Sequence, residues 1–137
     1  MKFDDKYFSD FEFSKEQVLK NLNNALKDLG IAHRDTIADV KFTYSYDALI
    51  KGGIAAISAF NKKIKSVPGH HVKIIEAMGA ILKDDSIGAI GNAMRSKRNM
   101  DFYSGGSEVT EKEAHEYLGY VDAVVRKVER FILDSGF

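Results

Sequence analysis

The stretch that decides the fold is Ser14-Lys15-Glu16-Gln17-Val18-Leu19-Lys20-Asn21-Leu22-Asn23-Asn24-Ala25-Leu26-Lys27-Asp28-Leu29-Gly30. It opens on a hydroxyl followed three residues later by an amide. That spacing lets each side chain satisfy the other residue's free backbone N–H, so a helix is expected to start at Ser14. Val18, Leu22, Ala25, Leu26 and Leu29 then recur at steps of three and four, which places them on one face. Gly30 is the expected stop, since glycine enters the left-handed cap without a steric penalty.

The same grammar repeats downstream. A long second helix is expected from Asp35 to about Lys63, with Ile37, Val40, Tyr44, Ala48, Ala55 and Ala59 on one side. Gly52 and Gly53 permit close helix approach or a bend there. Lys65-Ser66-Val67-Pro68-Gly69 reads as a turn. A third helix follows over 69–83, with Ile74, Ile75, Met78, Ile81 and Leu82 inward. Asp84-Asp85-Ser86 supplies the next cap, and a fourth helix covers 86–102. Ser104-Gly105-Gly106-Ser107 breaks the chain. Thr110 with Glu113 caps a fifth helix ending near Leu133, with the stripe Ala114, Leu118, Val121, Val125, Val128 and Ile132. No strand-type alternation is visible.

Short connections make successive helices antiparallel neighbours. The expected fold is all-α, an up-down antiparallel bundle of four to five helices. Residues 1–13, with Phe3, Tyr7, Phe8, Phe11 and Phe13, read as an aromatic N-terminal arm, and residues 14–137 as a single bundle domain.

Composition narrows function. The 137 residues include 20 basic and 20 acidic side chains, so any nucleic-acid affinity must come from segregated charge. The absence of cysteine excludes thiolate chemistry and disulfides. Neither a signal peptide nor a membrane span is apparent, so a cytoplasmic location is expected.

The chemistry collects near the end of the fourth helix, in Arg98-Asn99-Met100-Asp101-Phe102-Tyr103. Ile87, Ile90, Met94, Arg98 and Phe102 fall on one inward line, so Arg98 interrupts an apolar stripe. A guanidinium cannot shed its proton there and needs an acceptor or an anion. Arg95, Asn99 and Tyr103 form a second line at steps of four. The up-down order would bring Lys62, Lys63, Lys65, His70, His71, Arg95, Lys97 and Arg98 to one pole. Arg95, Lys97, Arg98 and His70 are the expected phosphate-binding residues. A structural arginine paired with a carboxylate, and a packed histidine, are the plain alternatives. Two adjacent histidines point different ways on a helix, so no metal site and no cofactor is expected.

These residues together resemble the HEPN domain family (higher eukaryotes and prokaryotes nucleotide-binding), in its prokaryotic stand-alone branch. Three parts carry the resemblance: the long helix from Tyr44-Ser45-Tyr46-Asp47-Ala48 to Ala55-Ala56, the turn Ser66-Val67-Pro68-Gly69-His70-His71, and Arg98-Asn99 followed by an aromatic residue. The resemblance implies an RNA- or nucleotide-binding module, non-catalytic or weakly catalytic. Such modules belong to toxin–antitoxin, defence or nucleotidyltransferase-linked systems. It implies a homodimer and a nucleotidyltransferase or antitoxin partner. The alternatives are a metal-independent HEPN ribonuclease and a dimeric interaction scaffold without ligand. Carried over, Arg98 would hold the scissile phosphate and Asn99 would assist. Tyr103 stands where the family has a histidine. An ordinary phenol titrates near about 10, too high for proton exchange at neutral pH, so His70 or His71 could substitute in principle, with His71 the catalytic candidate of the two.

Overall fold

A computed structural model describes residues 2–104 and 109–135; the side chains of residues 101–104 lie outside the description. In chain order the elements are β1 (Phe8–Asp10), α1 (Lys15–Arg34), α2 (Ala38–Ser58), β2 (Lys62–Ile64), α3 (His70–Leu82), α4 (Ser86–Ser104) and α5 (Glu111–Asp134). The described residues form an all-α bundle with one two-stranded ribbon. No helix among the described residues is long and apolar enough to cross a membrane.

Both capping boxes form. Ser14 Oγ accepts from the Gln17 N–H, and Gln17 Oε1 accepts from the Ser14 N–H. Thr110 and Glu113 do the same at α5. The stripes of α1, α3 and α5 are buried or half-buried as their spacing requires, and those of α5 are almost wholly so.

Gly30 does not end α1. The helix runs on to Arg34, and Ala32, two residues before its end, is fully buried in the core. The helix that does need a left-handed residue is α3, whose cap Gly69 has φ +82°. Any side chain at that angle would be strained.

The α2 expectation needs two corrections. The helix ends at Ser58, and Lys62–Ile64 is a strand instead. Its core face also differs. Ile37, at 60 % exposure, lies outside the core, while Phe42, Tyr46, Leu49 and Ile57 are fully buried. The reason is position: α2 is central, packed on α1, α3 and α5, so a single stripe does not describe its second half.

The strand has a partner in the N-terminal segment. β1 pairs antiparallel with β2 in the register Phe8 to Ile64, Ser9 to Lys63 and Asp10 to Lys62. Phe8 is a core residue, and Phe3 meets it edge-on at 5.1 Å. The aromatic lead-in is thus stitched into the bundle. Three-residue strands are too short to leave an alternating signature.

This ribbon also changes the helix order. The chain from 59 to 69 returns alongside α2 before α3 begins. Tyr46 therefore meets His71, and Gly53 meets Ile74 and Met78, so α2 and α3 run in the same sense. α1 and α2 are antiparallel, as the Lys51–Asp28 and Lys41–Ala32 contacts show. So are α4 and α5, linked by Lys97–Glu113 and Ser86–Tyr120.

Candidate functional site

Because α3 starts beside the middle of α2, the histidine turn faces Tyr46 rather than the end of α2. α4 runs antiparallel to α3, with Gly91 packed on Ile75, and this brings its C-terminal half back to the same turn. Pro68, His70, His71, Arg95 and Asn99 line one open cleft of about 470 Å³. Arg98 is not part of that lining; its guanidinium carbon is 5.5 Å from the centre of the Tyr46 ring.

Each side chain is held by a specific contact. The Tyr46 hydroxyl and His71 Nδ1 are 2.9 Å apart. His70 Nδ1 is 2.9 Å from the Val67 carbonyl oxygen. The two imidazoles meet edge to face, with centres 4.6 Å apart. Arg95 Nε donates to Asn92 Oδ1 at 3.3 Å.

The electrostatics follow from this crowding. Burial pushes the Tyr46 phenol up to about 12, against the opposing pull of Arg98 and Arg95. Burial lowers the His71 pKa, and His70, Arg98 and Arg95 add to the effect by disfavouring another positive charge. Asp47, beside Tyr46 in sequence, has its pKa raised by burial while Arg98 opposes the rise. Arg98 therefore sits on an aromatic face with a carboxylate within electrostatic range. That is how a charged residue survives on an apolar stripe.

The expected pole is only partly assembled. His70, His71, Arg95, Arg98 and Asn99 come together. Lys97 does not line the cleft; its ammonium is 3.2 Å from the Glu113 carboxylate. Lys62 and Lys65 are drawn to the N-terminal segment, Lys62 to Asp10 and Lys65 to the Asp5 carbonyl oxygen. Lys63 lies over the Phe11 ring. These lysines depart because the β1–β2 ribbon, not α2, carries them. Tyr103 belongs to α4 by its backbone, but its side chain falls outside the described residues. Among the described residues, no group of three or more His, Asp or Glu is placed to hold a metal ion.

The residue that sequence reasoning missed is Tyr46. It lies 25 positions before His71 and 52 before Arg98. Its only signal was membership of the tyrosine-rich start of α2.

A wider cleft of about 610 Å³ lies where α1, α2 and α5 meet, with His33, Lys41, Lys112 and His115 in its wall. Two of these groups are already engaged. His33 Nε2 is 2.9 Å from Asp122, and Lys41 donates to the Ala32 carbonyl at 2.7 Å. The smaller cleft sets the Arg95 guanidinium and the Asn99 amide beside two touching imidazoles, with Arg98 close enough to act on His71.

Comparison with protein-family models, with curated proteins and with solved structures finds no match to this chain.

Proposed function

We propose that this chain is a HEPN-like module that binds RNA or a nucleotide through its phosphate in the His70–His71–Arg95–Asn99 cleft, with Arg98 close by. The observation that carries the reading is the convergence of α3 and α4 on one opening. Arg95 and Asn99 line it, and Arg98 is braced on the ring of Tyr46, which contacts the cleft residue His71. Planar guanidinium groups match phosphate oxygens two at a time, and an amide adds a neutral donor. In a chain of zero net charge such a cluster supplies local affinity without general stickiness. A toxin–antitoxin, defence or nucleotidyltransferase-linked setting, with a homodimer and a protein partner, belongs to the same proposal.

The test is fluorescence anisotropy with a labelled single-stranded RNA. Binding is expected to weaken with added salt as phosphate contacts release counterions. Arg95→Ala and Arg98→Ala are expected to weaken it further, while Lys112→Ala leaves it unchanged. No binding at low salt would sink the reading.

A second reading, a metal-independent ribonuclease, is favoured by one observation: a half-buried imidazole whose pKa is lowered beside two arginines. A neutral ring can exchange a proton near neutral pH. Cleavage of the same RNA in the presence of a chelator, lost in Arg98→Ala and kept in His33→Ala, would establish it.

A further inference from the structure

His70 and His71 are neighbours in sequence, line the same cleft and touch each other, yet their Nδ1 atoms meet opposite kinds of partner. A backbone carbonyl can only accept. The 2.9 Å contact of His70 Nδ1 with the Val67 oxygen therefore needs the proton on Nδ1. In the neutral ring Nε2 is then a bare acceptor.

His71 faces the reverse situation. Tyr46 is fully buried, so its hydroxyl hydrogen cannot turn to water. A buried hydroxyl without an acceptor is costly. Among the described residues, the one acceptor within reach is His71 Nδ1, at 2.9 Å. The phenol therefore donates, Nδ1 accepts, and the ring proton must sit on Nε2.

We infer that the two neutral histidines are locked in opposite tautomers, so that His70 offers the cleft an acceptor and His71 offers it an N–H donor. Tyr46 is the positioning residue that fixes the second. A neutral His71 fits its surroundings, since burial and the Arg98 and Arg95 charges on α4 disfavour its protonation. The assignment also reverses the roles expected from sequence. His70, not His71, is the ring placed to take a proton, and His71 is placed to donate to an anionic oxygen.

Resting on the proposed phosphate site, this pair fits a ligand that carries a hydroxyl next to a phosphate group. His70 Nε2 would accept from the hydroxyl, and His71 Nε2–H would donate to a phosphate oxygen beside the arginines. A ribose phosphate has that arrangement; a deoxyribose phosphate lacks the hydroxyl at the 2′ position.

The experiment is a long-range proton–nitrogen correlation spectrum of the imidazoles in the ligand-free full chain, at a pH where both rings are neutral. His70→Gln and His71→Gln assign the signals. His70 is expected to carry its proton on Nδ1 and His71 on Nε2. Tyr46→Phe should shift His71 toward the other tautomer and leave His70 as it was. Two rings with the same tautomer in the unaltered protein overturn the inference, whatever Tyr46→Phe does to folding. So does a His71 tautomer indifferent to Tyr46→Phe. No ligand enters these spectra, so a failure here is distinct from a failure to bind RNA.

Discussion

The Tyr46 hydroxyl meets His71 Nδ1 at 2.9 Å while the same Tyr46 ring carries the Arg98 guanidinium on its face. One buried phenol thus fixes a histidine through its edge and an arginine through its face. The two contacts make different demands on a substitution. Phenylalanine removes the first and keeps the second.

That separation gives a prediction for Arg98. Loss of the guanidinium in Arg98→Ala should lower stability by about 1 kcal/mol, the scale of a partly shielded cation–ring contact. It should also weaken RNA binding evenly across sequences and reduce the salt slope by about one unit. Arg98→Lys keeps the charge but not the plane, so binding should be only partly restored. Chemical denaturation and anisotropy would measure the two effects separately. Unchanged affinity in Arg98→Ala would remove the arginine from the site.

The acid side of the stability curve should carry a signature of His71. Its folded pKa lies below the ordinary value of 6.5, so below that pH the unfolded chain binds more protons than the native one. Stability is then full above about 6.5 and declines as pH falls toward the folded pKa. Asp84 adds a second loss at lower pH. Hydrogen bonds from Lys127 and Ser86 hold its carboxyl at about 2, so its contribution fades between 3.8 and that value. Urea titrations at pH 7.5 and 5.5 should show a smaller drop in His71→Gln than in the unaltered chain. An equal drop in both would assign the loss to other groups.

Two glycines should respond in opposite directions to alanine. A Cβ at Gly53 would lie 2.5 Å from Ile74 Cγ2, a stiff branched side chain in the α2–α3 contact. Gly53→Ala should destabilise by about 1–3 kcal/mol through overpacking. At Gly119, in the exposed middle of α5, a Cβ meets nothing within 4 Å. Gly119→Ala should stabilise by up to about 1 kcal/mol, the difference in helix propensity. Thermal melts of the two variants would show midpoints moving apart.

Phe8 separates an arm that merely rests on the bundle from one that belongs to it. Its ring is buried and pairs with Phe3. Phe8→Ala should therefore cost about 3 kcal/mol, as for a large core aromatic. A loss below about 0.5 kcal/mol, typical of surface positions, would contradict its place in the core.

What the sequence disclosed follows the range of the interactions involved. Ser14, Gln17, Thr110 and Glu113 act on backbone three residues away, so their motifs were readable as written. The stripes of α1, α3 and α5 were readable because each helix has one dominant buried side. The face of α2 was not, because three neighbours bury it and spacing ceases to discriminate. Arg98 stood out against Met94 and Ile87, but its support, Tyr46, is joined to it only by the fold. The lysines at 62, 63 and 65 misled for the same reason. Their partners Asp5, Asp10 and Phe11 sit more than fifty residues upstream, and nothing local announces the pairing.

The β1–β2 ribbon has a consequence for the order of assembly. Asp10 pairs with Lys62 across 52 residues, the whole of α1 and α2 intervening. Closing so long a loop is entropically costly before other contacts exist, so this pairing is expected to follow the docking of α1 on α2. Lys65, immediately after β2, is tied back to Tyr7 and Asp5, and three residues later the chain reaches Pro68. The segment presenting both imidazoles is thus anchored by the first residues of the chain. Amide exchange along β2 should report when the cleft has reached its working shape.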